Sequence, residues 1–339
     1  MREVILKMND SQKLSLLSEI ADMYYNREMT QAAIADDLGL SRVSISRLLS
    51  EARNRNVVEI KINYLSERSY QIEELLKARL GLAEIHVFNC KNGCDLSFMD
   101  MIFRHAAQYV DSKLLPGMTF GVTRGATVAG VMKYLSNKFP RPLDLKIVQL
   151  VGSEVNENPT TSSGDIIRNI IRIYGGKAYY LSAPMYVEKA SLHKDLLNEP
   201  IIRKVLDIGK HADIIISGVG MLNPDIDIQS SIWSGFIDKT ILNELLSLGG
   251  VGYMFAHVFN IKGELIDHPI NRQIISVKLE DLAKVETTIA IACGLERGAA
   301  VLGAIRSGHV KILITDRSCA KAMLALLDSD GKAPQTNIY

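Results

Sequence analysis

The sequence predicts an α/β protein in which an N-terminal helix-turn-helix unit precedes a larger domain built on a parallel sheet. Three observations lead there. The first sixty-odd residues keep a 3.6-residue apolar period. From about Glu84 short apolar runs alternate with helical stretches. Several of those runs are apolar on both faces, as parallel strands covered by helices on each side must be. A length of 339 residues accommodates two domains.

Leu14, Leu17, Ile20, Ala21 and Tyr24 share one face and predict a first helix over 11–26. Thr30 is an N-cap residue for a second helix ending at Leu38, with Ala33, Ile34 and Leu38 as its buried stripe. Gly39 supplies a positive-φ turn. Ser41 then caps a third helix whose Val43, Ile45, Leu48 and Leu49 are expected to hold it to the core. "VVEIKIN" (57–63) alternates with period two and predicts a strand. A charged helix beginning near Ser66 follows, with Ile72, Leu75, Leu76 and Leu80 on one side. The expected boundaries are 1–63, a linker helix over 64–82, a domain over 83–328 and a polar tail over 329–339.

In the large domain the expected strands are 84–89, 118–122, 145–151, 177–182, 213–219, 287–293 and 310–316. Helices are expected at 97–112, 125–138, 161–175, 198–211, 238–248, 297–307 and 317–328.

Composition excludes several classes. The formal net charge of +1 gives no global basic field, so any nucleic-acid contact must be a local patch. The N-terminal "MREVILKMND" lacks a signal peptide's apolar run, and no stretch has the length of a membrane span. Cys90, Cys94, Cys293 and Cys319 are too few for a disulfide scaffold. Cys90 and Cys94 have no second Cys/His pair nearby. A cytoplasmic protein without metal or cofactor is expected.

The helix-turn-helix carries the first functional signal. A helix entering the major groove needs short side chains that let its backbone sit deep, and arginines for phosphates and guanine edges. Ser41, Arg42, Ser44 and Arg47 meet that need, and Ser46 joins them if the helix rotation allows. Thr30 and Gln31, opening the second helix, are taken as further DNA contacts. From Ser41 to Arg55 stand Arg42, Arg47, Arg53 and Arg55 against Glu51 alone.

The second signal is "FGVTRGATVAG" (120–130) at a strand-to-helix transition. Its glycines admit a ligand to the backbone, and Thr123, Arg124 and Thr127 add hydroxyls and a cation beside a helix N-terminus, an anion site. Ligands of open α/β sheets sit outside the carboxyl ends of the strands. Loops carrying Ser153, Glu154, Thr161, Ser162, Gly218, Gly220, Glu296 and Arg297 should converge there. Asp267, after an expected hairpin, reads equally as a pocket residue or an exposed charge, and Glu157 as an exposed charge.

"MTQAAIADDLGLSRVSISRLLSEARNRNVVEIKI", "PGMTFGVTRGATV", "NEPIIRKVL", "ADIIISGVG", "VFNIKGELID" and "AIACGLERGAAVLGAIRSGHVKILITD" stand in an order and spacing that resemble the SorC family of sugar-responsive bacterial transcriptional regulators, over residues 10–328. The resemblance implies a winged helix-turn-helix, a helical linker and a Rossmann-like effector domain similar to sugar-phosphate isomerases and deaminases. It implies operator DNA and a sugar or sugar-phosphate effector as partners, and a homodimer or homotetramer. It places the phosphate turn on Gly121, Thr123, Arg124, Gly125 and Thr127, a sugar-hydroxyl contact on Asp267 and a basic ligand contact on Arg297.

Three positions depart from the family pattern. Arg297, where relatives often carry Lys, excludes a Schiff base because guanidinium stays protonated. Glu154 adds a carboxylate that a phosphate would oppose unless Arg124 or Arg297 offsets it, which leaves a free sugar or polyol open beside a phosphorylated effector. His257 stands where relatives often have a small residue and is expected to reshape the pocket. A sugar-phosphate isomerase or deaminase with an added DNA-binding domain is the competing reading. Glu154, Asp267 and Glu296 are its candidate acids, but no His-containing acid/base motif stands at a strand end.

Overall fold

A computed structural model describes residues 9–55, 57–58, 68–89, 96–135, 142–153, 161–225, 233 and 236–329. The chain divides into two compact units, Met1–Tyr64 and Leu65–Tyr339.

The first unit is a trihelical core of α1 (Asp10–Tyr25), α2 (Gln31–Leu38) and α3 (Arg42–Asn54). Each helix starts on a residue chosen for its cap. Asn9 and Gln12 form a reciprocal capping box. Thr30 Oγ1 accepts from Ala33 N at 3.2 Å, and Ser41 Oγ accepts from Ser44 N at 3.1 Å. Gly39, at φ 60° and ψ 38°, makes the left-handed turn between α2 and α3. Leu17, Ile20 and Met23 of α1, Ile34 and Ala35 of α2, and Ile45, Leu48, Leu49 and Ala52 of α3 close one apolar core. Glu51 ties α3 to α1 through Lys13 at 2.8 Å. Of the strand expected over 57–63, only Val57 and Val58 are described. Both pack against the trihelical core and donate backbone hydrogen bonds to Ala52 O.

The second unit opens with α4 (Tyr70–Leu80) and β1 (Glu84–Phe88), followed by α5 (Leu96–Lys113), β2 (Thr119–Val122), α6 (Ala126–Lys133), β3 (Leu145–Gln149), α7 (Ser163–Tyr174) and β4 (Gly176–Tyr179). Next come α8 (Ala190–Asn198), α9 (Pro200–Gly209), β5 (Ile214–Gly218), β6 (Gly220–Met221), α10 (Lys239–Ser247), β7 (Gly250–Met254) and β8 (His257–Asn260). The unit ends with α11 (Pro269–Arg272), α12 (Leu279–Leu282), β9 (Thr287–Ala292), α13 (Gly298–Arg306), β10 (Ile312–Asp316) and α14 (Arg317–Ser329).

Seven strands form a parallel sheet in the order β1-β10-β9-β5-β2-β3-β4. β6, β7 and β8 form a separate antiparallel sheet. The double-sided apolarity of the strands has its cause in the layers. On β5, Ile214 and Ile216 enter the core beneath α5, α6 and α7, whereas Ile215 enters the opposite core with Val205 of α9 and Val301 of α13. From β2 the chain goes on to β3 and β4 on one side; β5 returns to the other side of β2 and leads on to β9 and β10. The carboxyl ends of β2 and β5 are therefore the topological switch point of the sheet, where such folds leave a crevice.

The expected linker helix belongs to the second unit. Leu76 of α4 is fully buried in its core. Ser69 N donates to Val87 O at 2.8 Å, and Arg68 makes a bidentate pair with Glu73 at 2.9 and 2.8 Å. The helix Ala190–Asn198 was not expected; Pro200 at the first turn of α9 separates the two. Cys90, Cys94, Glu154, Glu157 and the tail beyond Ser329 lie outside the described residues. Among the described residues no helix is long and apolar enough to cross a membrane.

Candidate functional site

Two residue groups stand out, one in each unit. In the first, α3 turns Ile45, Leu48, Leu49 and Ala52 inward. Arg42, Ser46 and Arg47 are exposed on its other side. Ser41 and Ser44 are partly committed to the cap, their hydroxyls 2.8 Å apart. Val43 corrects the expectation that it anchors the helix, since it is 62% exposed. Val43 and Ile45 are two residues apart, about 200° around a helix, so they cannot share the buried face.

Thr30, Gln31 and Arg42 line one groove of about 590 Å³, with Tyr24 and Tyr25 among its walls. The N-terminus of α2 opens into it. Thr30 Oγ1 accepts from the backbone there, so its own O–H stays available as a donor. Backbone N–H groups, a hydroxyl and a guanidinium are what a phosphate oxygen needs.

In the second unit the switch point gathers the polar residues. Thr123 follows β2 directly and donates through Oγ1 to Ser217 Oγ at 3.3 Å, across to the end of β5. Gly125 starts α6 at φ 118°, where a side chain would be strained. Its N–H donates to Thr161 O at 3.2 Å, and Arg124 Nη2 donates to Thr161 Oγ1 at 3.2 Å. Gly218 lies so close to Thr127 that a Cβ there would stand 3.3 Å from the threonine's own. Thr123, Arg124, Gly125 and Thr127 thus form one turn with Thr161 and Ser217.

Beside it, at the ends of β9 and β10, Thr127, Gly294, Glu296, Arg297 and Ser318 line a cavity of about 430 Å³. Arg297 Nη1 donates to Val219 O at 3.0 Å, which fixes the guanidinium against the turn after β5. Asp316, fully buried at the end of β10, holds two of the lining residues in place. Its carboxylate accepts from Gly294 N at 2.8 Å, from Ser318 N at 3.1 Å and from the Ser318 hydroxyl. Tyr253 is partly buried; desolvation raises its phenol above the ordinary value while the Arg297 and Arg124 charges pull it back. Both guanidinium groups therefore act on one phenol.

Other expected site residues serve different ends. Gly121 lies inside β2, where a Cβ would meet Leu150 and Ile215 side chains at 3.0–3.1 Å, and it is not among the residues lining the cavity. Gly220 likewise makes room for the Tyr253 ring. Ser153 is tied by its backbone to Ala183 O at 2.8 Å, and its hydroxyl accepts from buried Gln149 at 3.3 Å. Ser162 caps α7. Asp267 is not brought to the cavity: its side chain is 86% exposed and paired with Arg272. His257 corrects the expectation of a pocket residue. It is buried in β8, its Nδ1 bonded to Phe255 O at 2.9 Å, and burial lowers it to about 4.

Sequence reasoning missed Ser217, Gln149, Tyr253 and Asp316. Ser217 was legible, since it stands in the quoted "ADIIISGVG". Tyr253 was not, because its place depends on the antiparallel sheet.

Residues 65–325 match the family described as "Putative sugar-binding domain". The chain is 26% identical over 327 residues to the sorbitol operon regulator of Klebsiella pneumoniae, covering 94% of this chain and 100% of that protein. It is 25% identical over 315 residues to the deoxyribonucleoside regulator of Bacillus subtilis, covering 93% and 99%. The crystal structure of the full-length sorbitol operon regulator SorC from Klebsiella pneumoniae superposes with a TM-score of 0.68 at 23% identity, covering 92% of this chain and 99% of that one. The profile match spans most of the chain, and with the strand order and the switch-point turn already in view, the chain belongs to the SorC-type sugar-binding-domain family.

Proposed function

We propose that this protein is a sugar-responsive transcriptional regulator. Its first unit binds operator DNA through α3, and its second unit holds a carbohydrate effector at the carboxyl ends of β2, β5, β9 and β10. The observation that carries the effector reading is that Thr127, from the switch-point turn, and Arg297, held by Val219 O, line one cavity at the adjoining ends of β9 and β10. Backbone N–H groups at the start of α6, the Thr127 hydroxyl and the guanidinium groups of Arg124 and Arg297 suit an anionic group, and Glu296 and Ser318 suit sugar hydroxyls. A sugar phosphate is therefore the favoured effector, with an unphosphorylated sugar or polyol as the alternative chemistry. The relatives' names, sorbitol operon regulator and deoxyribonucleoside regulator, support a carbohydrate-related effector. Chromosomal DNA as partner implies a cytoplasmic protein. Operation as a regulator and not as an isomerase fits the cavity, which among the described lining residues offers Glu296 as its acid and no histidine.

A thermal-shift panel of sugars, polyols and their phosphates, followed by a turnover assay on every hit, tests this. The expected result is one chemical series that stabilises the protein and is recovered unchanged. Turnover of the stabilising compound would establish the enzyme instead.

A further inference from the structure

The outward stripe of α3 holds one side chain that neither folding nor phosphate binding explains. Val43, Ser46 and Arg47 stand at helical spacings of three and four, on the side opposite buried Ile45, Leu48 and Leu49. Val43 is 62% exposed. Valine is a poor helix former, stiff at χ1, so the backbone does not call for it at this position. Solitary exposed apolar residues are ordinary on protein surfaces. This one lies within a turn of the N-terminus of the helix, between Arg42 and Arg47, for which the described residues offer no ion pair. The acid of the same helix, Glu51, is already held by Lys13 at 2.8 Å and Arg55 at 3.0 Å. The stripe is thus cationic at its edges and apolar at its centre.

An isopropyl group cannot bond to a phosphate or to a polar base edge. In the major groove its apolar partner is the C5-methyl group of thymine. The neighbouring hydroxyls do not compete for that place, because Ser41 and Ser44 are engaged with each other at 2.8 Å. We propose that Val43 determines specificity by packing on the C5-methyl group of a thymine in each operator half-site. The inference rests on the DNA-binding reading of α3 and adds to it the base that is read.

The full-length protein is used to select duplexes from a random pool. Each thymine of the selected site is then replaced by deoxyuridine, which removes only the methyl group, and affinity is measured for the parent and for Val43→Ser. One thymine per half-site should weaken the parent roughly fourfold on losing its methyl, the worth of one buried methyl group. Val43→Ser should bind the thymine and deoxyuridine duplexes alike. Equal binding by the parent at every position, or an unchanged thymine preference in Val43→Ser, overturns the assignment of Val43 alone. Failure to enrich any duplex overturns the DNA-binding reading, and the inference with it.

Discussion

At α3, single side chains divide into those that hold the helix and those that face outward, and the two sets make opposite predictions. Arg42→Ala and Arg47→Ala should fold like the parent, because neither touches the trihelical core. A base-reading arginine should cost roughly 1–3 kcal/mol of discrimination. A phosphate-only arginine should weaken all sequences evenly and reduce the salt dependence of binding. Anisotropy titrations over a range of salt separate the two, and parental affinity in both variants would remove α3 from the interface. Buried histidines give a second residue-scale prediction. Burial lowers His257 to about 4. Burial, then the charge of neighbouring His86, lowers His105 to about 4 as well. His86 Nε2 donates to Glu84 at 2.7 Å, so its Nδ1 must accept from His105 Nε2, also at 2.7 Å. A second proton would set two donors against each other. Because the folded values lie below the ordinary 6.5, the unfolded chain binds more protons between about 6.5 and 4, and stability must fall as pH drops through that window. His257 alone accounts for roughly 3 kcal/mol at most. Thermal unfolding of His257→Gln should therefore lose less stability than the parent between pH 6.5 and 4.5, and identical slopes would contradict the shift.

At the scale of elements, most strands and helices were legible because their signals are local. Two-sided apolar runs such as "DIIISGV" admit few readings, and Ser41, Thr30 and Gly39 name helix ends by chemistry. What escaped the sequence depends on direction and on partners distant in the chain. Val43 was misassigned because an apolar residue next to a periodic stripe looks like part of it. Asp267 follows its hairpin as expected, but a loop sequence does not say that its carboxylate turns to Arg272. Gly121 matches the turn pattern, yet a Cβ there would meet Ile215 of β5 and Leu150 just after β3, both distant in the chain. The placement of α4 was hidden for the same reason, since its anchor is a pair closed on β1. Glu73 is 1% exposed and accepts both from Arg68 and from Val87 N, the latter at 2.8 Å. Removing Arg68 alone leaves a buried carboxylate uncompensated. Arg68→Met should therefore destabilise the second unit by roughly 3 kcal/mol, and the double variant with Glu73→Met should recover part of that loss. Urea denaturation checks the order; a double variant less stable than the single one would show that Glu73 acts through its bond to Val87 and not through the ion pair.

For the molecule as a whole, one recognition helix reads only a few base pairs, so a regulator of useful specificity needs at least two copies. Sizing at micromolar concentration should give a dimer or tetramer, and footprinting should show half-sites one helical turn or a multiple apart; a strict monomer would contradict this. Regulation adds a requirement that affinity alone does not meet. An effector changes operator occupancy only if it binds one arrangement of the protein better than the other. The coupling is reciprocal, so whatever the effector does to operator affinity, the operator must do to effector affinity. The two residue groups should then separate cleanly: Arg42→Ala weakens operator binding and keeps effector binding, whereas Arg124→Ala does the reverse. The most direct test of a ligand-controlled regulator is the operator affinity of parent and Arg124→Ala proteins, each titrated with and without a saturating hit from the sugar-phosphate panel. A shift of fivefold or more is expected in the parent, about the lower end of ordinary allosteric coupling, and none in Arg124→Ala at unchanged ligand-free affinity. An operator affinity that the bound effector leaves unmoved in the parent, or moves equally in both proteins, would contradict ligand control.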